Sequence, residues 1–150
     1  MSKSRTASPV DIAVMIRTAR WRTKLPNAAR LCRRAARAAL ARVSMCAPCG
    51  KLLRRQAGEI SIVLASDSFV AKLNYDYRGK RGPTNVLSFP SGFLSDAGPM
   101  GAALRGAEKM PIGDVVIALE TVVSEAKKAG KSLGDHLAHL TVHGVLHLLG

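Results

Sequence analysis

Four short apolar stretches, separated by helical patterns of unequal length, constrain this chain more than any other feature. Val10 to Ile16 sets Val10, Ile12, Val14 and Ile16 against Asp11, Ala13 and Met15, the alternation of a strand with one buried face. Ile60 to Leu64 alternates in the same way. Asn85 to Phe89 reads as a third strand, closed by Pro90, and Asp114 to Ala118 as a short apolar fourth. Strands and helices follow one another without a regular β-α alternation. The expectation is therefore an α+β fold: one domain with a mixed sheet of about four strands packed with helices.

The helical segments carry their own punctuation. Pro26 and Asn27 can open a helix to about Val43, with Ala28, Leu31, Ala35, Ala39 and Val43 recurring every three or four residues. Arg30, Arg33, Arg34 and Arg37 load the remaining surface, a face that is either solvated or in contact with RNA. Ser66 or Asp67 can cap a short helix through Leu73, and Thr121 another that Gly130 ends. Ser132 with Asp135 resembles a capping box for a final helix to Leu149. Met45 to Gly58 and Tyr75 to Thr84 read as basic connections, and 91–111 as a Gly/Pro-rich flexible loop.

Charge narrows the function. Twenty-three Lys and Arg against ten Asp and Glu give a formal charge of +13, which favours a polyanionic partner through counterion release. Charge alone leaves nucleic acid and an anionic membrane both open. At 4%, aromatic residues are too scarce for a base-stacking platform. No apolar run approaches the ~20 residues that span a bilayer. The basic start, Met1 to Thr6, leads into no apolar segment of a signal peptide, and only its Arg/Ser content points toward an organelle leader. The expectation is a cytoplasmic protein with no membrane partner.

Cys32, Cys46 and Cys49 make no disulfide framework in a chain of 150 residues. Cys46-Ala-Pro-Cys49 has the spacing of a redox or half-zinc motif, but there is no second pair for zinc and it sits in a connection after a helix and not between a strand and a helix, so it is read as incidental.

The final helix carries the chemistry. His139, His143 and His147 stand at i, i+4 and i+8 on one face. Residues four apart lie ~5–6 Å from each other and can grip one ion. Residues eight apart lie ~12 Å apart and cannot. The pair His143 and His147 brackets Gly144 and sits among Leu140, Leu146 and Leu148, surroundings in which buried imidazoles need a partner such as a metal. Position 144 would hold the glutamate of a His-Glu-x-x-His peptidase; being glycine, it argues against a metalloprotease.

The stretch His143-Gly-Val-Leu-His147-Leu-Leu-Gly150 resembles the signature of the YbeY family of ribosomal RNA maturation endoribonucleases. Tyr77-Arg78-Gly79-Lys80 with Pro83-Thr84-Asn85-Val86-Leu87-Ser88-Phe89-Pro90 is similar to a second block of that family. Gly113-Asp114-Val115-Val116-Ile117, with Gly130-Lys131-Ser132-Leu133, is similar to a third. The resemblance covers roughly residues 60–150; the earlier third agrees only in layout, strand then helix.

It implies a zinc-dependent endoribonuclease with one Zn²⁺ per chain held by three histidines. His143 and His147 would be two of them, and the third would fall three residues past Gly150, so an incomplete site is expected within these residues. It further implies that Arg78 holds the scissile phosphate, and that the target is 16S ribosomal RNA near its 3′ end on the small subunit, with ribosomal proteins or an assembly GTPase as partners. Arg81 departs from the family's usual Asp. His139 is expected in the core or behind the ligands, and His136 at the surface. Two other classes compete: a non-catalytic RNA- or ribosome-binding assembly factor, and a metal-dependent hydrolase of a smaller substrate.

Overall fold

The alternating stretches do form strands, and the strands assemble into one sheet. The computed structural model describes residues 10–45, 58–91 and 110–150. In chain order the elements are β1 (Val10–Ile16), α1 (Arg20–Lys24), α2 (Ala28–Ser44), β2 (Gly58–Ala65), α3 (Asp67–Arg78), β3 (Val86–Pro90), β4 (Met110–Ala118), α4 (Leu119–Ala129) and α5 (Leu133–Leu149). The sheet runs β1-β2-β4-β3. The first three are mutually parallel, with Ile12 opposite Ile60 and Ile62 opposite Val115. β3 is antiparallel to β4, with Ser88 opposite Val115. The expected α+β class with a four-stranded mixed sheet is what the structure has.

Period-two alternation divides each strand between two layers. Ile12, Ile60, Ile62, Leu64, Val115 and Ile117 face a large core with α2, α4 and α5. Leu87, Phe89, Val116 and Ala118 face the other way, onto Phe69, Val70 and Leu73 of α3. Among the described residues α2, α4 and α5 thus cover one face, joined by Trp21 of the short α1 (Arg20–Lys24), and α3 covers part of the other. α1 was not anticipated: its five residues lack a side-chain N-cap and an acidic first turn. It is held by tertiary contact, with Trp21 fully buried and its indole N–H donating to the Ala65 carbonyl at 2.9 Å.

Capping follows the sequence in part. Ser66 Oγ accepts from Phe69 N (3.3 Å), and Ser132 Oγ from Asp135 N (3.1 Å). Thr121 is not a cap, because α4 begins two residues earlier and directly continues β4. Its N–H and hydroxyl donate instead to the Asp67 carboxylate, at 2.9 and 2.8 Å. Asp67 N in turn donates to Glu120 (2.7 Å), so two helix N-termini, each favourable to negative charge, are tied together. α3 runs five residues past Leu73, taking Tyr75 to Arg78 out of the expected loop, and ends on Gly79 at φ 64°. The Cys46–Cys49 pair, the leader-like start and nearly all of the 91–111 loop lie outside the described residues.

Candidate metal and phosphate site

α5 is positioned by what its inner face lacks. Leu137, Leu140, Thr141, Gly144, Val145 and Leu148 form its buried stripe. A side chain at Gly144 would meet Val115 Cγ1 at 2.6 Å and Val86 Cγ2 at 3.3 Å, so the glycine lets the helix seat on β3 and β4. Its carbonyl also accepts from Ser88 Oγ of β3 at 2.9 Å. The close approach at Gly144 is therefore to sheet side chains.

With that stripe turned inward, the histidine rungs point outward. His139, His143 and His147 are all exposed, so the apolar burial expected of the pair is not found. The two rings of His143 and His147 nevertheless stand together, with centroids 4.4 Å apart and planes at 65°. They line a hollow of about 490 Å³ with Arg42 and Val43 of α2 and Leu146 and Leu149 of α5. Arg42 is the contribution that sequence reasoning missed. It arrives because α2 and α5 run alongside one another in the same direction: Leu31 approaches Gly134 near their starts, and Arg42 shares a hollow with the histidines near their ends.

The other two histidines exchange the places expected of them. His136 is largely buried, with 12% side-chain exposure, and its Nε2 lies 2.8 Å from Glu125 Oε2. Glu125 also accepts from Asn85 Nδ2 at 3.2–3.3 Å, so it ties the start of β3 to α5 through α4. His139 is exposed and stacks parallel to His136 at 6.5 Å. Neither periodicity nor composition places Glu125, on another helix, beside His136.

Arg78 is the exposed last residue of α3, and it makes no ion pair with another described residue. α3 and α5 cover opposite faces of the sheet, so Arg78 and the histidine pair are not in one pocket. Arg78 and His143 each adjoin, in sequence, a residue that contacts the edge strand β3. Tyr77, next to Arg78, packs edge-on against Phe89 (5.5 Å) from one face, while Ser88 holds Gly144 from the other. On the Arg78 side a smaller hollow of about 280 Å³ is lined by Met15, Arg17, Tyr77, Phe89 and Asp114, among others. Burial pushes the Asp114 carboxyl above the usual aspartate value, against the lowering effect of a hydrogen bond from Ser61; Glu59 adds a smaller upward push.

The family's sequence model, described as Endoribonuclease YbeY, matches residues 18–150. This chain belongs to the YbeY family. It is 46% identical over 141 residues to the Endoribonuclease YbeY of Paramagnetospirillum magneticum, and 42% identical over 141 residues to that of Azorhizobium caulinodans. Each of those alignments covers 94% of this chain and 78% of the relative. Identity to the Parvibaculum lavamentivorans Endoribonuclease YbeY is 56% over 95 residues, which is 63% of this chain and about half (51%) of that relative's length. The solution structure of a Thermotoga maritima protein superposes with a TM-score of 0.50 at 18% identity, covering 93% of this chain and 73% of that one. That likeness concerns the fold alone. The family model and these relatives are all described as endoribonucleases. Among the described residues no helix is long and apolar enough to cross a membrane.

The donor set bears directly on a metal. Two imidazoles with adjacent rings are the right chemistry for half of a tetrahedral zinc shell. Among the described residues no third His, Cys, Asp or Glu joins them. The residues present therefore fit a bidentate grip and supply two of the three histidines that the resemblance implies.

Proposed function

We propose that this YbeY-family chain is a zinc-dependent endoribonuclease that cuts single-stranded RNA in maturing the 3′ end of 16S ribosomal RNA. It would do so in the cytoplasm, on the small ribosomal subunit, with ribosomal proteins or an assembly GTPase as partners. The observation that carries the catalytic part is the His143–His147 pair, rings 4.4 Å apart, in one hollow with Arg42. His143 and His147 would hold the zinc. A bound zinc would supply positive charge beside the phosphate and lower the pKa of a water there to about 7.

The chain's own residues do the rest. Neutral imidazole ligands would leave the charge of a bound zinc uncancelled, and Arg42 in the same lining adds a fixed charge of its own, so an RNA phosphate would be drawn there before anything reacts. Arg78 ends the helix on the other face of the sheet, exposed beside Tyr77, and its planar fork can take two phosphate oxygens. A single strand can bend over an edge strand to meet both sides; a duplex is too stiff and too wide, which accords with single-strand selectivity.

The test is zinc content and RNA cleavage measured on one preparation, beside His143→Ala and Arg78→Ala. About one zinc per chain, lost in His143→Ala, is the expected result. Arg78→Ala should keep zinc and fold while losing cleavage; unchanged cleavage removes Arg78 from the mechanism. Products ending in a 2′,3′-cyclic phosphate identify the RNA 2′-hydroxyl as the attacking group. RNA binding with no metal-dependent cleavage selects a non-catalytic assembly factor, the reading that the two-donor set among the described residues favours.

A further inference from the structure

The outer face of α2 has a composition that the hollow around His143 does not use. Arg30, Arg33, Arg34 and Arg37 are all exposed. Successive helical residues turn by about 100°, so the four fall within an arc of roughly 100° and span roughly 10 Å of helix. Opposite them, Ala28, Cys32, Ala35, Ala36, Ala39 and Leu40 are buried. α2 contains no Asp or Glu. Among the described residues, the ion pairs present belong to Arg20 with Glu120, Lys72 with Asp76 and His136 with Glu125, none of them on this face.

A merely solvated helix face commonly interleaves signs, gaining i,i+4 pairs. Here Arg30–Arg34 and Arg33–Arg37 are like-charge i,i+4 pairs, which oppose the helix and which a bound anion would relieve. All four are arginines, whose forks suit phosphate oxygens better than a lysine point charge. A helical nucleic-acid strand places a charge every ~3.4 Å of axis, so the stripe spans about three phosphates.

We infer that the Arg30-Arg33-Arg34-Arg37 face of α2 is an RNA backbone-docking surface. It binds a flank of the substrate away from the point of cleavage. The inference rests on the reading that this chain acts on RNA, and it concerns affinity, not chemistry. The stripe lies round the helix from Arg42, which lines the hollow with His143 and His147. It therefore adds length to the footprint without adding a group to the reacting site.

The test is binding of a fluorescent RNA hairpin with a single-stranded tail across a salt series. A His143→Ala background keeps the probe uncut. Arg33→Gln/Arg34→Gln/Arg37→Gln keeps good helix formers on an exposed face, and Lys24→Gln/Lys127→Gln/Lys128→Gln removes equal charge from exposed positions elsewhere. The arginine variant should bind at least tenfold more weakly at ~0.1 M salt, with a salt slope flatter by about 2 to 3, and an Arg→Lys version should recover most of that slope. The lysine variant should change either quantity far less.

Equal losses in the two triple variants overturn the proposal in favour of diffuse charge. Loss of binding to acidic phospholipid vesicles with RNA binding intact also overturns it. Cleavage is assayed separately on chains with His143 in place. A parent that binds RNA through the stripe yet never cuts sinks the enzyme reading alone, whereas a parent that cuts with the stripe irrelevant to binding sinks this one alone.

Discussion

Gly144→Ala separates two opposing effects that the fold places at one atom. Alanine gains about 1 kcal/mol over glycine inside a helix, so on α5 taken alone the change stabilises. The added Cβ, however, would sit 2.6 Å from Val115 Cγ1 and 3.3 Å from Val86 Cγ2. Val115 is fully buried, and its branched side chain has few rotamers in which to retreat. Overpacking of this kind costs about 1–3 kcal/mol, so the net expectation is destabilisation by about 1 kcal/mol. The helix would be displaced from β3, straining the bond from Ser88 Oγ to the Gly144 carbonyl. Urea unfolding of the two proteins gives the sign directly. Val115→Ala makes the space: alone it should cost about 2 kcal/mol through its cavity, and with Gly144→Ala it should cost about 1 kcal/mol less than the sum. A Gly144→Ala protein more stable than the parent, or strict additivity with Val115→Ala, would refute close packing as the reason for glycine here.

Other consequences are open to direct measurement. Asp114 has a raised folded-state pKa, so below the unfolded value near 3.8 it is protonated in both states, and its ionisation above that costs stability as pH rises through the folded value. Asp114→Asn should therefore melt higher than the parent at neutral pH, with the gap closing toward pH 3; an unchanged gap across that range refutes the assignment. Burial pushes the Cys32 thiol up to about 11, leaving about one thiolate in a thousand at pH 8, so aromatic disulfide reagents should modify Cys32 only after unfolding. Glu125→Ala removes the acceptor of both Asn85 and His136 and should cost about 1–3 kcal/mol; a cost no larger than that of an exposed control such as Asp76→Ala would show that the bridge contributes little.

Much of the scaffold was legible because local signals agreed with one another. The 10–16 and 60–64 alternations became β1 and β2, and the Ser132–Asp135 cap opened α5 where expected. What could not be read depends on partners distant in sequence. Trp21 is fixed by a carbonyl 44 residues away, and without it nothing in Arg20–Lys24 demands a helix. His136 looked peripheral because Glu125, which orders it, lies on the preceding helix. The error over His143 and His147 was different in kind. Their neighbours Leu140 and Leu148 do face the core, but a helix rotates between adjacent residues, and the full stripe of Leu137, Thr141, Gly144 and Val145 leaves the histidines outside. Local hydrophobicity misled where angular position would have decided.

That exposure changes what has to organise the site. Outward-facing imidazoles are not ordered by packing, so their separation must come from the helix backbone, and the position of that backbone from the seat of Gly144 on Val115 and Val86. The same strand supports Arg78, since Tyr77 leans on Phe89 one residue beyond the Ser88 that holds α5. β3 is an edge strand of five residues, and edges are where a sheet is most easily disturbed. Here it is braced from both faces and ends on Pro90, which cannot donate to another chain. The two groups proposed to meet the phosphate are thus coupled through one short strand. A perturbation at Ser88 or Phe89 should reach both, although neither residue carries a charge.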